Sequence, residues 1–161
     1  MGRVELKRIN KKYSKDSDVF NIMRYSCSKK KENKNVRVRY IGTRGLPENL
    51  EDAVDSMIKT QKLMGKASGR RINHFIFSFS KIVDDAKLVY FAADRLADEI
   101  GKEYPLIYGV HEDTDNYHIH FAASTISCIT GKKWHTSSKE FSSWRNKMIK
   151  IAEDVLNDWK I

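Results

Sequence analysis

Two periodicities of apolar and polar residues alternate along the chain. Residues 73–80 (NHFIFSFS) place three phenylalanines on one side of a strand and a histidine, an isoleucine and two serines on the other. Residues 84–101 instead repeat apolar residues at helical spacing and end at a glycine, as helices commonly do. The two periods predict a protein that contains both strands and helices.

The same patterns predict elements in the order β-α-β-α-β-α-β-β-α. We expect strands at residues 3–9, 36–42, 73–80, 105–111 and 116–124, and helices at residues 16–28, 46–66, 84–101 and 138–158. The polar EDTD segment between the last two strands predicts a hairpin. The expected fold class is therefore α+β, a sandwich with a central antiparallel sheet and helices on one face, the phenylalanine face.

Length and composition favour one folded unit. A chain of 161 residues with 40% apolar residues can bury a real core, and it contains no internal repeat or low-complexity linker, so we expect a single domain over residues 1–161. No apolar run approaches the roughly 20 residues needed to span a bilayer, and the charged N-terminus lacks an apolar signal core. The two cysteines are not at metal-ligand spacing. These features predict a cytoplasmic protein with free thiols.

The net charge of +9 is concentrated in the first part of the chain. Residues 1–71 carry 19 Lys and Arg against 8 Asp and Glu, whereas residues 72–161 carry 11 against 13. This imbalance predicts a polyanionic partner, with nucleic acid as the first candidate and a solvated basic face as the alternative. The candidate DNA-contacting residues are Tyr13, Lys29, Lys30, Lys31, Arg37, Arg39, Arg44, Arg70, Arg71 and His74.

Three of the five histidines fall within residues 108–124 (YGVHEDTDNYHIHFAAS). Strand alternation puts His118 and His120 on one face, and a tight hairpin returns His111 to one of them. Three imidazoles with open positions are typical of a catalytic metal site, and Asp113 could accept the second ring proton of His111. The alternative is that all three are ordinary half-buried histidines.

A metal in a basic protein indicates chemistry on a phosphodiester. Either a metal-held water or a side chain would then be the nucleophile, and a tyrosine would form a covalent phosphotyrosyl link. Position in the sequence alone selects none of the seven tyrosines for this role. His74 shares the polar face of its strand, where it could support the histidine cluster or contact a phosphate.

The segment HEDTDNYHIHFAAS resembles the third motif of the relaxase/mobilisation nuclease family, the tyrosine HUH endonucleases that start plasmid conjugation. KKYSKDSDVFNIMRYSCSKKK is similar to the first motif of that family, and NHFIFSFS to the strand between the two motifs. TGKKWHTSSKEFSSWRNKMIKIAEDV resembles the segment that follows. The similarity spans nearly the whole chain, although Ser124 stands near a place where the family often has asparagine.

The resemblance implies roles for individual residues. Tyr25 would be the nucleophile, with Tyr13 as the second candidate. His111, His118 and His120 would hold a divalent metal ion, Mg or Mn for turnover; imidazole ligands also suit Zn or Ni, which the purified protein could carry. Asp113 would support a histidine or take the tyrosine proton. The implied fold is the HUH-endonuclease sandwich, a permuted relative of the ferredoxin/RRM fold.

The resemblance also implies an activity. It is metal-dependent nicking of one DNA strand at a transfer origin, followed by strand transfer through a 5′-phosphotyrosyl intermediate, which initiates conjugative mobilisation. The implied partners are single-stranded DNA and accessory relaxosome and coupling proteins. We expect a monomer in the bacterial cytoplasm that could be transferred while bound to DNA. The alternatives are an HUH-type rolling-circle replication initiator or transposase, and a non-catalytic single-stranded-DNA-binding module.

Overall fold

A computed structural model describes residues 2–27, 37–112 and 115–158. Lys29, Lys30, Lys31 and Asp113, and the side chain of Arg37, lie outside this description. The five strands are β1 (Val4–Arg8), β2 (Arg37–Arg44), β3 (Ile72–Phe79), β4 (Leu106–Glu112) and β5 (Tyr117–Ser124). The four helices are α1 (Asp16–Cys27), α2 (Leu50–Leu63), α3 (Ala86–Gly101) and α4 (Ser138–Asp158). The order and type of these elements agree with the sequence prediction.

The strands form one antiparallel sheet in the order β1-β3-β5-β4-β2. The predicted α+β class with a central antiparallel sheet is therefore confirmed. β5 is the middle strand, and it pairs with β3 on one side and with β4, its hairpin partner, on the other. The strands that carry four of the histidines are thus neighbours at the centre of the sheet.

The phenylalanine face of the sheet forms the larger core. Phe75, Phe77 and Phe79 are fully buried there, as their alternation predicted. They pack with apolar residues of α3 and α4, including Val89, Leu96, Met148 and Ala152. This face follows from strand periodicity, because every second side chain of β3 and β5 points to it.

The second core corrects the prediction that the helices lie on one face only. α1 and α2 pack on the opposite face of the sheet, where Ile72, Ile107 and Ala122 meet apolar residues of both helices. The opposite face is polar in its middle but carries these apolar residues toward one end, and they need a cover of their own. The histidine face is therefore partly covered by helices.

Capping side chains fix several helix ends. α2 begins at Leu50 and not at residue 46, because Gly45 has a φ of 68° and the side chain of Asn49 caps the helix by accepting from the Asp52 amide. In α4, the Glu140 carboxylate accepts from the Ser137 amide at 3.0 Å, and the Ser137 hydroxyl accepts from the Glu140 amide at 3.1 Å. This reciprocal pair of hydrogen bonds is a capping box.

Arg71 is a structural residue and not the DNA contact that we expected. Its side chain is only 3% exposed. The guanidinium contacts the Asp16 carboxylate at 2.5 Å and the side-chain oxygen of Gln61 at 3.0 Å. Asp16 begins α1 and also binds Lys62 of α2 at 2.8 Å. These contacts tie α1 to α2 and to the start of β3, and they leave the Arg71 guanidinium inaccessible to a phosphate.

No helix in the described part of the chain is long and apolar enough to cross a membrane.

We predict that Asp16→Asn lowers the melting temperature, because the buried Arg71 charge loses its carboxylate partner. Hydrogen bonds from Lys62 and Arg71 lower the pKa of Asp16 from its ordinary value of 3.8. A lowered folded-state pKa stabilises the fold above the unfolded pKa, and that stability is lost as the pH falls through the folded value. The melting temperatures of the Asp16→Asn variant and the unaltered protein should therefore differ at pH 7 and converge well below pH ~4. Thermal unfolding measures both.

The matched control is Asp55→Asn, an exposed carboxylate of α2 for which the described residues provide no ion pair. It should leave the melting temperature nearly unchanged at both pH values. An equal loss of stability in both variants would contradict the structural role of Asp16.

Candidate functional site

Four histidines converge on one face of the three central strands. His111 of β4 lies directly opposite His118 of β5 in the hairpin register, and His120 lies opposite Gly109. On the other side of β5, Ile76 lies opposite His120, so His74 is two residues further along the same face of β3. The hairpin therefore brings His111 to both other histidines of its motif, whereas alternation predicted proximity to one of them.

His120 is at the centre of this cluster. Its ring stacks on that of His111, with the centroids 3.9 Å apart and the planes at 20°. Its Nδ1 shares a hydrogen bond of 2.9 Å with Nε2 of His74. His118 is further away, at 6.5 Å between ring centroids. His74, His111 and His120 are all buried, whereas His118 is half-buried.

The imidazole nitrogens of this cluster are suitable ligands for a divalent metal ion, but the rings are not oriented to bind one ion together. Neutral imidazoles are common ligands of first-row metals. However, the stacked rings of His111 and His120 direct their nitrogens along nearly parallel planes, and no group of three or more His, Cys, Asp or Glu among the described residues is arranged to hold a metal.

Helix α1 brings Tyr25 over the histidines. The centroid of its ring lies 5.3 Å from that of His120, 5.8 Å from that of His111 and 6.0 Å from that of His74. The side chain remains 49% exposed, so a ligand in solution can reach it. Tyr25 is therefore both accessible and adjacent to three imidazoles.

The other candidate tyrosines are placed differently. Tyr13 lies in the β1–α1 loop with a φ of 45° and packs beside the α1–α2 core; burial, then Asp18, raises its pKa. Tyr40 stacks on Tyr90 at 4.4 Å between centroids, and its hydrogen bond to Asp94 raises its pKa to about 12. A raised pKa makes both hydroxyls harder to deprotonate at neutral pH.

The carbonyl of Ser26, at the end of α1, fixes the orientation of His111. Nε2 of His111 lies 2.9 Å from the Ser26 carbonyl oxygen. A carbonyl only accepts, so the proton of this bond must reside on Nε2, and Nδ1 of the neutral ring carries the lone pair. The last carbonyls of a helix lack partners within the helix, which makes Ser26 available for this bond.

Gly109 allows α1 to approach β4 this closely. A Cβ at this position would overlap the Ser26 carbonyl oxygen and would lie 3.0 Å from Cγ1 of Val38. Any side chain would therefore push the end of α1 away from the sheet. Sequence reasoning missed both Ser26 and Gly109, although a glycine inside a strand pattern is a known signal of close backbone approach.

The predicted DNA-contacting residues do not form one cluster. Arg39 is exposed and pairs with Glu112 at 3.2 Å, whereas Arg44 pairs with Asp98 at 2.7 Å. Arg70 lines a cavity at the end of β3. His74 is buried beside His120, so its place is within the histidine cluster and not on the surface.

Comparison with known families decides the class of this protein. Residues 24–155 match the family model for the MobA/VirD2-like relaxase nuclease domain. The chain belongs to this relaxase family. The matched range includes Tyr25 and the three histidines of the hairpin, but it begins after Tyr13. Membership supports DNA nicking in mobilisation and single-stranded DNA as the ligand of this relaxase domain, in line with the resemblance of its motifs.

A solved structure agrees with the fold of this relaxase. It is described as the molecular basis of vancomycin resistance transfer in Staphylococcus aureus, and it superimposes with a TM-score of 0.61 over 98% of this chain and 94% of that chain. The sequence identity is 12%, so the likeness concerns the fold alone. No curated protein matches the sequence significantly.

We predict that Gly109→Ala breaks the bond between His111 and Ser26 and destabilises the protein by about 1–3 kcal/mol through overpacking. Long-range histidine ¹⁵N NMR should show His111 protonated on Nε2 in the unaltered protein and as a mixture of tautomers in the variant. Gly42→Ala is the control, since its Cβ would meet the Tyr108 ring at 2.5 Å, away from α1. A His111 signal unchanged by Gly109→Ala would contradict this account.

Proposed function

We propose that this relaxase nicks one strand of DNA by direct attack of Tyr25 on the scissile phosphate, at a transfer origin. The observation that carries the proposal is the position of an exposed tyrosine ring within 6.0 Å of the rings of His74, His111 and His120. Membership in a relaxase nuclease family supports the reaction class. No other tyrosine among the described residues has a ring contact with more than one histidine of the cluster.

The proposed reaction conserves the energy of the phosphodiester. The Tyr25 oxygen forms a bond to phosphorus, and the bond from phosphorus to the 3′ oxygen breaks. The 3′ oxygen leaves as a hydroxyl after it gains a proton, and the tyrosine proton passes to a base. Asp113 stays the predicted base, although it lies outside the described residues. Attack by a 3′ hydroxyl on the phosphotyrosyl link would reverse the step and join the transferred strand.

His111, His118 and His120 are the proposed holders of a divalent metal ion. When bound, such an ion would neutralise the non-bridging phosphate oxygens and make phosphorus a better target for attack. The chain itself supplies two orienting contacts, because the Ser26 carbonyl holds His111 and the ring of His74 holds His120. Hydrogen bonds of this kind set the tautomer and the basicity of a ligating imidazole.

Positive charge is the proposed means of binding the strand. The first 71 residues hold the whole positive excess of the chain, and they include α1 with Tyr25. A strand attracted to this region would meet the exposed tyrosine and the histidine face together. Arg39 and Arg70 remain candidates for phosphate contacts, together with Lys29, Lys30 and Lys31.

We predict that Tyr25→Phe abolishes covalent attachment to DNA, with a loss of roughly 10³-fold or more, as when other enzymatic nucleophiles are removed. The assay incubates the protein with labelled single-stranded oligonucleotides that tile the DNA beside its coding sequence, in Mg²⁺ or Mn²⁺. An adduct is detected by denaturing gel electrophoresis. Tyr13→Phe removes the hydroxyl of the second candidate tyrosine but keeps its ring, so this variant should still form the adduct.

Two outcomes would contradict this assignment. Equal adduct formation by Tyr25→Phe would exclude Tyr25 as the nucleophile. An absence of adduct with every tiled oligonucleotide, despite tight binding, would favour a non-catalytic DNA-binding module.

We predict that His111→Ala, His118→Ala and His120→Ala each remove the bound metal, whereas His74→Ala weakens metal affinity by about 10–100-fold because it removes only the orienting bond to His120. Metal content after loading with Mn²⁺ or Zn²⁺ is measured by plasma mass spectrometry, and affinity by calorimetry. His135→Ala is the control, since His135 lies outside the cluster. Full metal content in His118→Ala and His120→Ala would contradict the proposed site.

A further inference from the structure

A polar cavity lies at the end of the sheet, away from the histidine cluster. Its volume is about 280 Å³, just below the roughly 300–1,000 Å³ of ordinary ligand cavities. β1 ends where Arg8 pairs with Phe75, so Asn73 extends just beyond it. Arg70, before β3, and Trp134, between β5 and α4, also line the cavity. Asn73 and His74 are consecutive in β3, so their side chains point to opposite faces.

Buried polar atoms in the wall of this cavity lack partners. Asn73 is 1% exposed, yet neither the oxygen nor the nitrogen of its side-chain amide has a hydrogen bond within the described residues. The indole nitrogen of Trp134 is also buried without a described partner. Each unsatisfied group of this kind costs about 1–3 kcal/mol, and buried tryptophans usually find an acceptor. Both side chains therefore have unsatisfied hydrogen-bonding groups beside the cavity.

The wall is also strongly cationic. Arg8, Arg70 and Lys133 line the cavity, and the described residues offer none of them a carboxylate partner. Burial, then Arg70, lowers the pKa of Arg8, and burial, then Arg71 and Lys66, lowers that of Lys133. Burial and neighbouring positive charges both destabilise a cation, and an anion beside these side chains would offset both effects. The cavity therefore favours an anionic ligand.

The cationic side chains are held in place by neutral contacts. The Arg8 guanidinium lies 4.9 Å above the centre of the Phe141 ring. Arg70 donates to the side-chain oxygen of Asn10 at 3.3 Å, and Lys133 donates to the carbonyl of Ser68. These contacts position the cations without neutralising them.

Trp134 gives the cavity a rigid aromatic wall. Its ring packs edge to face against Tyr104 at 5.2 Å and against Trp144 at 5.1 Å between centroids. A ring held on two sides presents its edge in one fixed direction. The cavity thus combines an aromatic side chain, a paired hydrogen-bond donor and acceptor, and a group of cations.

We propose that this cavity binds one nucleotide of the substrate strand, with its base against Trp134 and the Asn73 amide and its phosphate among Arg8, Arg70 and Lys133. This inference rests on the proposed function, since it places a part of the same strand. An amide that offers an adjacent donor and acceptor matches the edge of a base. A phosphate alone would meet the cations but would leave the amide and the indole unpaired. The cavity would therefore recognise the base at a single position of the strand, and this position is separate from the scissile phosphate.

The path of the strand follows from the neighbouring loop. The Arg71 amide donates to the Tyr13 carbonyl at 3.1 Å, so the β1–α1 loop runs beside Arg70 toward α1 and Tyr25. A strand that leaves the histidine face would cross this basic loop before it reaches the cavity. Tyr13 would then lie between the two sites.

The first test is titration of the ¹⁵N-labelled Tyr25→Phe variant with the four 2′-deoxynucleoside 5′-monophosphates. At least one should shift the Trp134 indole and the Asn73 amide resonances, and should bind about tenfold more tightly than inorganic phosphate or the matching deoxynucleoside. An equal response to inorganic phosphate, or no response to any of the four, would overturn the proposal. Trp134→Phe assigns the indole signal.

Lys133→Gln and Lys132→Gln form a matched pair, because the two lysines are adjacent and only Lys133 lines the cavity. Loss of Lys133 should weaken nucleotide binding about tenfold, whereas loss of Lys132 should change it by less than about twofold. Equal effects of the two variants would indicate general electrostatic attraction and would overturn the proposal.

The second test uses a single-stranded oligonucleotide in which one nucleotide at a time is made abasic. Fluorescence anisotropy with the Tyr25→Phe variant should find one position where base loss weakens binding, and adding Asn73→Leu should remove sensitivity at that position alone. Thermal unfolding of the Asn73→Leu variant checks its fold. Unchanged sensitivity at every position would exclude Asn73 from base contact. Neither test needs covalent attachment, so failure of the nucleophile assignment is detected separately by the adduct assay.

Discussion

The close approach of the end of α1 to β4 is the contact on which the candidate site depends. Gly109 leaves room for the Ser26 carbonyl, and that carbonyl accepts a hydrogen bond from His111. The same helix end holds Tyr25 over the rings of His111 and His120. One backbone contact therefore sets both the tautomer of an imidazole and the position of the proposed nucleophile. The apolar packing of α1 and α2 on the sheet stabilises this arrangement.

The two faces of the sheet have different roles, one structural and one in the candidate site. The phenylalanine face is covered by α3 and α4 and supplies most of the buried apolar core. The histidine face is covered only in part, because its central residues are polar and its apolar residues lie toward one end. A rigid core on one side allows the other side to expose Tyr25 without loss of the fold. The uneven charge of the chain follows this division, since the basic first part supplies α1 and the hairpin supplies the histidines.

Local pattern predicted the elements well because each has a strong period. The alternation in β3 and β5 identified their buried and polar faces. The prediction was wrong about the cover of the sheet, since Ile72, Ile107 and Ala122 form a second apolar area that no single segment reveals. It was also wrong about Arg71, whose sequence neighbours resemble an exposed basic loop although its side chain is buried against Asp16.

The sequence by itself determined the order of helices and strands, the faces of the strands, and the histidine motif that resembles the relaxases. These features depend on residues close together in the chain, so periodicity and spacing encode them. Only the tertiary structure decided which tyrosine lies over the histidines, that His74 binds His120, and that Asn73 and Trp134 share a cationic cavity. Such contacts join residues far apart in sequence, and their geometry depends on how helices and loops pack across the sheet.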